Sequence, residues 1–93
     1  MEIQHEAIAG TMESSDVYIS LFPDSTLTIE INSPNADDFY EDIHRNVTEV
    51  LQDYGIDRGR IVVEDHGALA CTLQARLKTA IGRAKASQGG ESC

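Results

Sequence analysis

The stretch that decides the fold is AGTMESSDV, residues 9–17, in which the polar run ESSD separates two apolar segments. After this run, apolar residues recur at every second position as far as Leu21, which is the period of a β-strand. The pattern predicts a hairpin with strands over residues 5–12 and 17–22. Its polar tip is expected to lie in water.

The tip carries two adjacent hydroxyls, those of Ser14 and Ser15. A serine hydroxyl is a weak nucleophile unless a base activates it, and the local sequence offers neither histidine nor lysine. A functional serine at this position is therefore expected to be modified by another enzyme. From the residues alone, an ordinary turn serine is the simpler interpretation.

The rest of the chain continues with one strand, a helix, another strand and a second helix. Alternation predicts a strand over residues 26–31, and a short β-branched run predicts another over 60–64, with neighbours on both sides. Apolar residues at spacings of three and four predict helices over about 36–54 and 68–86. Ser33 or Asn35 is the expected cap of the first helix, with Asp37 and Asp38 in its first turn, and Gly55 is its expected stop. The predicted buried faces are Phe39, Ile43, Val47, Val50, Leu51 and Tyr54 on the first helix, and Leu69, Leu73, Leu77, Ala80, Ile81 and Ala84 on the second.

This order, β-β-β-α-β-α, predicts an α+β domain of two layers. A mostly antiparallel sheet of about four strands would carry both helices on one face, with a right-handed crossover if the strands that flank the first helix are parallel. Residues 1–86 form one domain in this interpretation. Residues 87–93 lack periodicity and are expected to be a flexible tail.

The composition narrows the class of partner. The chain has 93 residues and a formal net charge of −9, so nucleic acid and anionic membranes are disfavoured. The N-terminus lacks the apolar segment of a signal peptide and no run is long enough to span a bilayer, which predicts a cytoplasmic protein. Cys71 is expected to be buried in the second helix and Cys93 to lie in the tail, without a metal site or a disulfide.

The candidate catalytic groups do not converge in the sequence. His66 follows Asp65 in a predicted turn, where a surface histidine is the common case. His5 and His44 lie on separate elements and form no metal-binding pattern with Cys71. Helix capping explains Asp37 and Asp38, and solvation of the turn explains Glu13 and Asp16. We therefore expect a protein that is not an enzyme by itself.

Two segments resemble one known family. Residues 9–17, together with residues 65–71 (DHGALAC), resemble the acyl carrier protein, or gamma subunit, of bacterial citrate lyase, and the similarity extends over roughly residues 3–84. The family motif is Ala-Gly-Thr-x-Glu-Ser-Gly-Asp, and its serine carries a phosphoribosyl-dephospho-coenzyme A (phosphoribosyl-dephospho-CoA) arm through a phosphodiester. By position that serine is Ser14. Where the motif has glycine this chain has Ser15, so the resemblance alone selects the first hydroxyl, and the turn is expected to be wider than two residues.

The resemblance also implies a mechanism and partners. The arm ends in a thiol that bears an acetyl group. The alpha subunit exchanges acetyl for citryl and releases acetate, and the beta subunit cleaves the citryl thioester to oxaloacetate and regenerates the acetyl thioester. A prosthetic-group transferase attaches the arm, and an acetate ligase acetylates it. Basic side chains of the second helix either complement its dipole or contact the phosphates of the arm. Two rivals remain: the carrier subunit of malonate decarboxylase and an unmodified adaptor whose sheet edge binds a partner strand.

Overall fold

Four strands and two helices follow one another in the predicted order, and the architecture is α+β. The computed structural model describes residues 3–33 and 36–86, with the side chains of residues 36–39 and 86 left aside. The elements are β1 (Ala7–Gly10), β2 (Val17–Phe22), β3 (Leu27–Asn32), α1 (Ala36–Asp53), β4 (Gly59–Asp65) and α2 (Ala70–Ala86).

The four strands form one mixed sheet in the order β1-β2-β4-β3. β1 pairs with β2 and β2 pairs with β4 in antiparallel fashion, whereas β3 pairs with β4 in parallel. α1 makes the crossover that a parallel pair requires. The prediction that β4 has a neighbour on each side is confirmed, and the sheet is antiparallel in two of its three pairings.

The alternation in β2 decides which face of the sheet is covered. Val17, Ile19 and Leu21 are fully buried, while the residues between them are half-buried. Opposite Ile19 and Leu21 lie Val63 and Ile61 of β4, which are also fully buried. α2 packs on β1 and β2, and α1 packs on β3 and on α2. The helices thus fix one side of the hairpin against the core.

The end of α1 confirms the predicted role of Gly55. This glycine has a φ of +67°, a conformation that a residue without Cβ adopts readily. Its N–H donates to the carbonyl of Gln52 at 3.1 Å, and the N–H of Ile56 donates to the carbonyl of Leu51 at 2.9 Å. These are the two hydrogen bonds of a Schellman motif, and Ile56 and Leu51 are both buried beside it.

Several predicted boundaries and burials differ from the structure. β1 and α2 are shorter than predicted, and Leu69 lies just before α2 with 71% of its surface exposed, so it does not belong to the buried face. Tyr54 follows the last residue of α1 and is 36% exposed, with the Lys85 ammonium 5.4 Å from its ring centre. Cys71 was expected to be buried and is exposed, because the buried stripe of α2 begins at Leu73.

The remaining apolar positions on both helices behave as predicted. The other residues named for the buried faces and covered by the structure are all buried: Ile43, Val47, Val50, Leu51, Leu73, Leu77, Ala80, Ile81 and Ala84. The predicted contribution of Phe39, the cap at Asn35 and the tail at 87–93 lie outside what the structure describes. Within the described part of the chain, neither helix is long and apolar enough to cross a membrane.

Candidate functional site

The loop between β1 and β2, residues 11–16, places the serine pair at its outer end. The N–H of Asp16 donates to the carbonyl of Glu13 at 3.2 Å, which closes a four-residue turn with Ser14 and Ser15 at its centre. Both serines are exposed. Ser15 has a φ of +66°, whereas Ser14 does not have a positive φ. A positive φ at only the second central position is the signature of a type II turn, which favours glycine there.

The turn is joined to the segment that follows β4. The N–H of Ser15 donates to the carbonyl of His66 at 2.7 Å, and the N–H of His66 donates to the carbonyl of Asp16 at 2.9 Å. Two residues of one strand therefore oppose a single residue of its partner. With Ser15 in the left-handed region, this is the arrangement of a G1 β-bulge, whose first residue is usually glycine.

Asp65 shapes the segment that supports the turn. Its Oδ1 accepts hydrogen bonds from the backbone N–H groups of Gly67 at 3.2 Å and Ala68 at 3.0 Å. Its Oδ2 accepts a hydrogen bond from the hydroxyl of Ser33 at 3.1 Å. An aspartate that bonds backbone N–H groups two and three residues ahead fixes a tight turn before a helix. The two sequence segments that carry the family resemblance are thus neighbours in space.

Asp16 is the most heavily bonded side chain of the loop. Its Oδ2 accepts a hydrogen bond from the Thr11 hydroxyl at 2.6 Å, and its Oδ1 accepts one from the N–H of Val17 at 2.8 Å. Arg76 of α2 donates to both oxygens at 3.1 Å. The Thr11 hydroxyl above all, then the Val17 N–H and Arg76, lower the pKa of Asp16 from 3.8 to about 2. The carboxylate is therefore ionised at neutral pH and ties the loop to α2.

The ring of His66 has a buried nitrogen, Nε2, without a hydrogen-bond partner among the described residues. Buried polar atoms are normally paired, so an exception in a native fold calls for an explanation. The sequence predicted an ordinary surface histidine, which is wrong for this nitrogen.

The sequence analysis found the tip but not its supports. Ser14 and Ser15 lie at the exposed end of the hairpin, as predicted, in a loop wider than two residues. Asp16 was assigned to solvation of the turn. The structure corrects this assignment, because its carboxylate forms an ion pair with Arg76 of α2 across 60 positions of sequence. The aspartate of the family motif was the available sequence signal for Asp16. No local sequence pattern indicates that Arg76 is its partner.

Comparison with known proteins identifies the family of the chain. Residues 4–84 match the family model ACP, described as the malonate decarboxylase delta subunit (MdcD). The chain is 51% identical over 84 residues to the citrate lyase acyl carrier protein of Haemophilus ducreyi, covering 90% of this chain and 88% of that one. It is 52% identical to the same protein of Haemophilus influenzae strain PittEE, with the same coverage. The fold and the sequence define an acyl carrier domain, and the chain belongs to the citrate lyase acyl carrier protein family.

A solved structure shares the fold at low sequence identity. A chain in the crystal structure of a Pseudomonas malonate decarboxylase hetero-tetramer in complex with malonate has a TM-score of 0.65 and 17% identity. The match covers 88% of this chain and 86% of that one. At this identity the likeness shows a common fold, and that fold occurs within a multi-subunit complex.

Proposed function

We propose that this chain is the acyl carrier subunit of a citrate lyase complex and that Ser14 carries the phosphoribosyl-dephospho-CoA arm. The chain would bring acetyl and citryl thioesters to the active sites of an alpha and a beta subunit in the conversion of citrate to acetate and oxaloacetate. A transferase would attach the arm and a ligase would acetylate it. The chain itself would be a non-catalytic cytoplasmic subunit.

The observation that carries this proposal is the exposure of Ser14 on a fixed support. Its hydroxyl lies at the outer end of a turn whose backbone is bonded to His66 and whose aspartate is held by Arg76. A modifying enzyme needs an accessible hydroxyl, and a carrier needs an attachment point that does not move relative to its docking surface. The membership in the family supports the same residue by its place in the motif.

The residues around the tip fit an attached phosphodiester. The guanidinium of Arg76 lies against Asp16, two positions from Ser14, and would supply positive charge close to the phosphate. Ser15 supports the turn through its backbone.

The chemistry of acyl transfer belongs to the thiol that the arm supplies. The protein contributes attachment, reach and docking. Tethering converts two encounters in solution into steps within one complex, with effective concentrations of the order of millimolar or above. Ser14 itself takes part only when it is modified, because the loop provides no base to activate its hydroxyl.

The second candidate is the carrier subunit of malonate decarboxylase. The description of the matching family model favours it, whereas the Pseudomonas structure shares only the fold. The similar proteins at 51% and 52% identity bear the citrate lyase name, and they favour the first candidate. Assaying the reconstituted complex with citrate and with malonate separates the two, since turnover of malonate alone would contradict our proposal.

The deciding experiment is the mass of the protein from its native host. A carrier is heavier than its sequence by the mass of the arm, whereas an unmodified adaptor is not. Peptide mapping should place the added mass on Ser14. The Ser14→Ala variant should lose it, and Ser15→Ala should keep it. An unmodified native protein, or an arm on Ser15, would contradict the assignment.

A further inference from the structure

A shallow depression lies on the surface of α2, close to the serine-bearing loop. It has a volume of about 320 Å³ and is open to solvent. Its lining consists of five α2 residues: Cys71, Thr72, Ala75, Arg76 and Thr79. Residues 71, 75 and 79 recur at every fourth position, so they follow one row along the helix. At 1.5 Å per residue that row is about 12 Å long.

Arg76 connects this depression to the loop that carries Ser14. Arg76 is one of the lining residues, and its guanidinium donates from Nε and Nη2 to the carboxylate of Asp16. A guanidinium has five N–H groups, and the other three have no partner among the residues that the structure describes. Arg76 is therefore equipped to hold the loop and to bind an oxyanion at the same time.

The flank of α2 is held in place along the hairpin. Besides Arg76 at the loop, Arg83 donates from Nη1 to the carbonyl of Ile8 in β1 at 2.9 Å. These two contacts, seven positions apart, fix the helix beside β1 and the tip. The distance between the depression and Ser14 is thus set by the fold and does not depend on a flexible connection.

The charge of α2 is unusual in this acidic chain. The chain has a net charge of −9 with seven basic residues, and four of the seven lie on α2: Arg76, Lys78, Arg83 and Lys85. No acidic residue lies between Ala70 and Ala86. α1, in contrast, carries six acidic residues and one arginine. An anionic group attached to the tip is therefore attracted to α2 and repelled by α1.

The lining also suits an arm of the coenzyme A type. Ala75 and the methyl groups of the threonines offer apolar contact to aliphatic segments, and the Thr72 hydroxyl offers a partner to amides. The Thr79 hydroxyl donates to the carbonyl of Ala75 at 3.0 Å and keeps its acceptor lone pairs. The lining side chains other than Arg76 are small, so an arm lying there would remain free to leave.

We infer that, when Ser14 is loaded, the depression on α2 is the resting site of the arm, with Arg76 beside its phosphates. This inference rests on the proposed function. It assigns to α2 a second role besides packing, because between visits to partner subunits the thiol end would lie along the helix. An arm held in this way is partly ordered on its own protein, so it makes fewer unproductive contacts with other surfaces.

The exposed thiol of Cys71 reports on this site directly. All proteins carry Cys93→Ser, so that Cys71 is the remaining protein thiol, and the arm is acetylated to block its own. A pulse of iodoacetamide followed by peptide mass analysis gives the alkylation rate of Cys71 separately from the loading of Ser14. Only the free fraction reacts, so an arm bound for roughly nine tenths of the time slows alkylation about tenfold.

Two variants complete the test. Gln52→Cys places a control thiol on the exposed side of α1, and its alkylation should be the same in loaded and unloaded protein. Thr79→Phe fills part of the depression at an exposed position without adding charge. It should remove most of the difference between loaded and unloaded protein at Cys71 without preventing loading at Ser14.

The outcomes separate this inference from the function on which it rests. Slower alkylation of Cys71 in the loaded protein, with an unchanged control thiol, supports the resting site. Equal rates at Cys71 in protein loaded on Ser14 overturn the resting site and leave the carrier function standing. Equal slowing at both thiols also overturns it, because the arm would then shield the surface generally. Absence of loading on Ser14 overturns both.

Discussion

Arg76 of α2 and Asp16 of the hairpin loop, 60 positions apart, are joined by two N–H···O bonds of 3.1 Å. Among the described side chains, this pair is the only hydrogen-bonded contact between α2 and the loop. Asp16 is also the aspartate of the family motif, two positions after Ser14. The loop that presents Ser14 is therefore positioned by the tertiary fold and not by its own sequence alone.

Breaking this pair should loosen the loop. We expect Asp16→Asn and Arg76→Gln each to lower the melting temperature, and the double variant to lose less than the sum of the two, because each single change already removes the ion pair. Amide hydrogen exchange at Ser15 should become faster in both. Lys78→Gln removes a neighbouring α2 cation that makes no hydrogen bond or ion pair with the loop among the described residues, and it should change neither quantity. Additive losses in the double variant would contradict the coupling.

The low pKa of Asp16 predicts how stability depends on pH. The folded-state value of about 2 lies below the ordinary 3.8, so folding favours the ionised form. This contribution is fully present above the unfolded pKa and is lost as the pH falls through the folded one, between about pH 5 and pH 2. Urea unfolding at a series of pH values should show this loss, and Asp16→Asn should reduce it. The Arg60 guanidinium also lowers the pKa of Glu30, so a smaller acid dependence should remain in that variant.

The parts of the fold that local chemistry determines were predictable. The alternation from Val17 to Leu21 places every second side chain on one face, and that face is buried. Gly55 ends α1 because a left-handed residue is required at that position. The spacing along both helices identified most of the core for the same reason, since the helical period is a local property.

Long-range pairing was not predictable. The parallel pairing of β3 with β4 and the order of the strands depend on how separate elements pack, and the pattern of each strand is compatible with several arrangements. Leu69 has the spacing of a buried residue, but the turn fixed by Asp65 delays the start of the helix until Ala70. Cys71 and Arg76 then fall on the outward side that forms the depression.

Gly10 should tolerate no side chain. It has a φ of +95°, and a Cβ at this position would lie 1.8 Å from the carbonyl oxygen of Val17. We expect Gly10→Ala to lower the free energy of unfolding by more than about 2 kcal/mol, from backbone strain and the displaced hairpin. Gly82→Ala is the matched control: nothing lies within 4 Å of its Cβ position, and the gain in helix propensity should stabilise the protein by up to about 1 kcal/mol. Chemical denaturation measures both, and a Gly10→Ala protein as stable as the native one would contradict the hairpin geometry.

Ser15 occupies a position that the backbone reserves for glycine. It is the left-handed residue of the turn and the first residue of the bulge, with a φ of +66°. An L-residue in this region costs about 1–2 kcal/mol. Serine partly offsets this cost, because it has less conformational entropy than glycine in the unfolded chain. Ser15→Gly should therefore raise the free energy of unfolding by roughly 0.5 to 1 kcal/mol.

Two further substitutions at the tip show whether this gain comes from φ. Ser14→Gly has no positive φ to relieve and should lower stability slightly, while Ser15→Val places a β-branched residue in the left-handed region and should lower it clearly.

Because the Ser15 side chain is exposed and its contribution to the turn is made by its backbone N–H, Ser15→Gly should also accept the arm on Ser14 at least as well as the native chain does. Denaturation and intact mass after exposure to the transferase test the two expectations separately. A Ser15→Gly protein that is less stable than the native one would show that the serine is favoured at this position for a reason other than the turn.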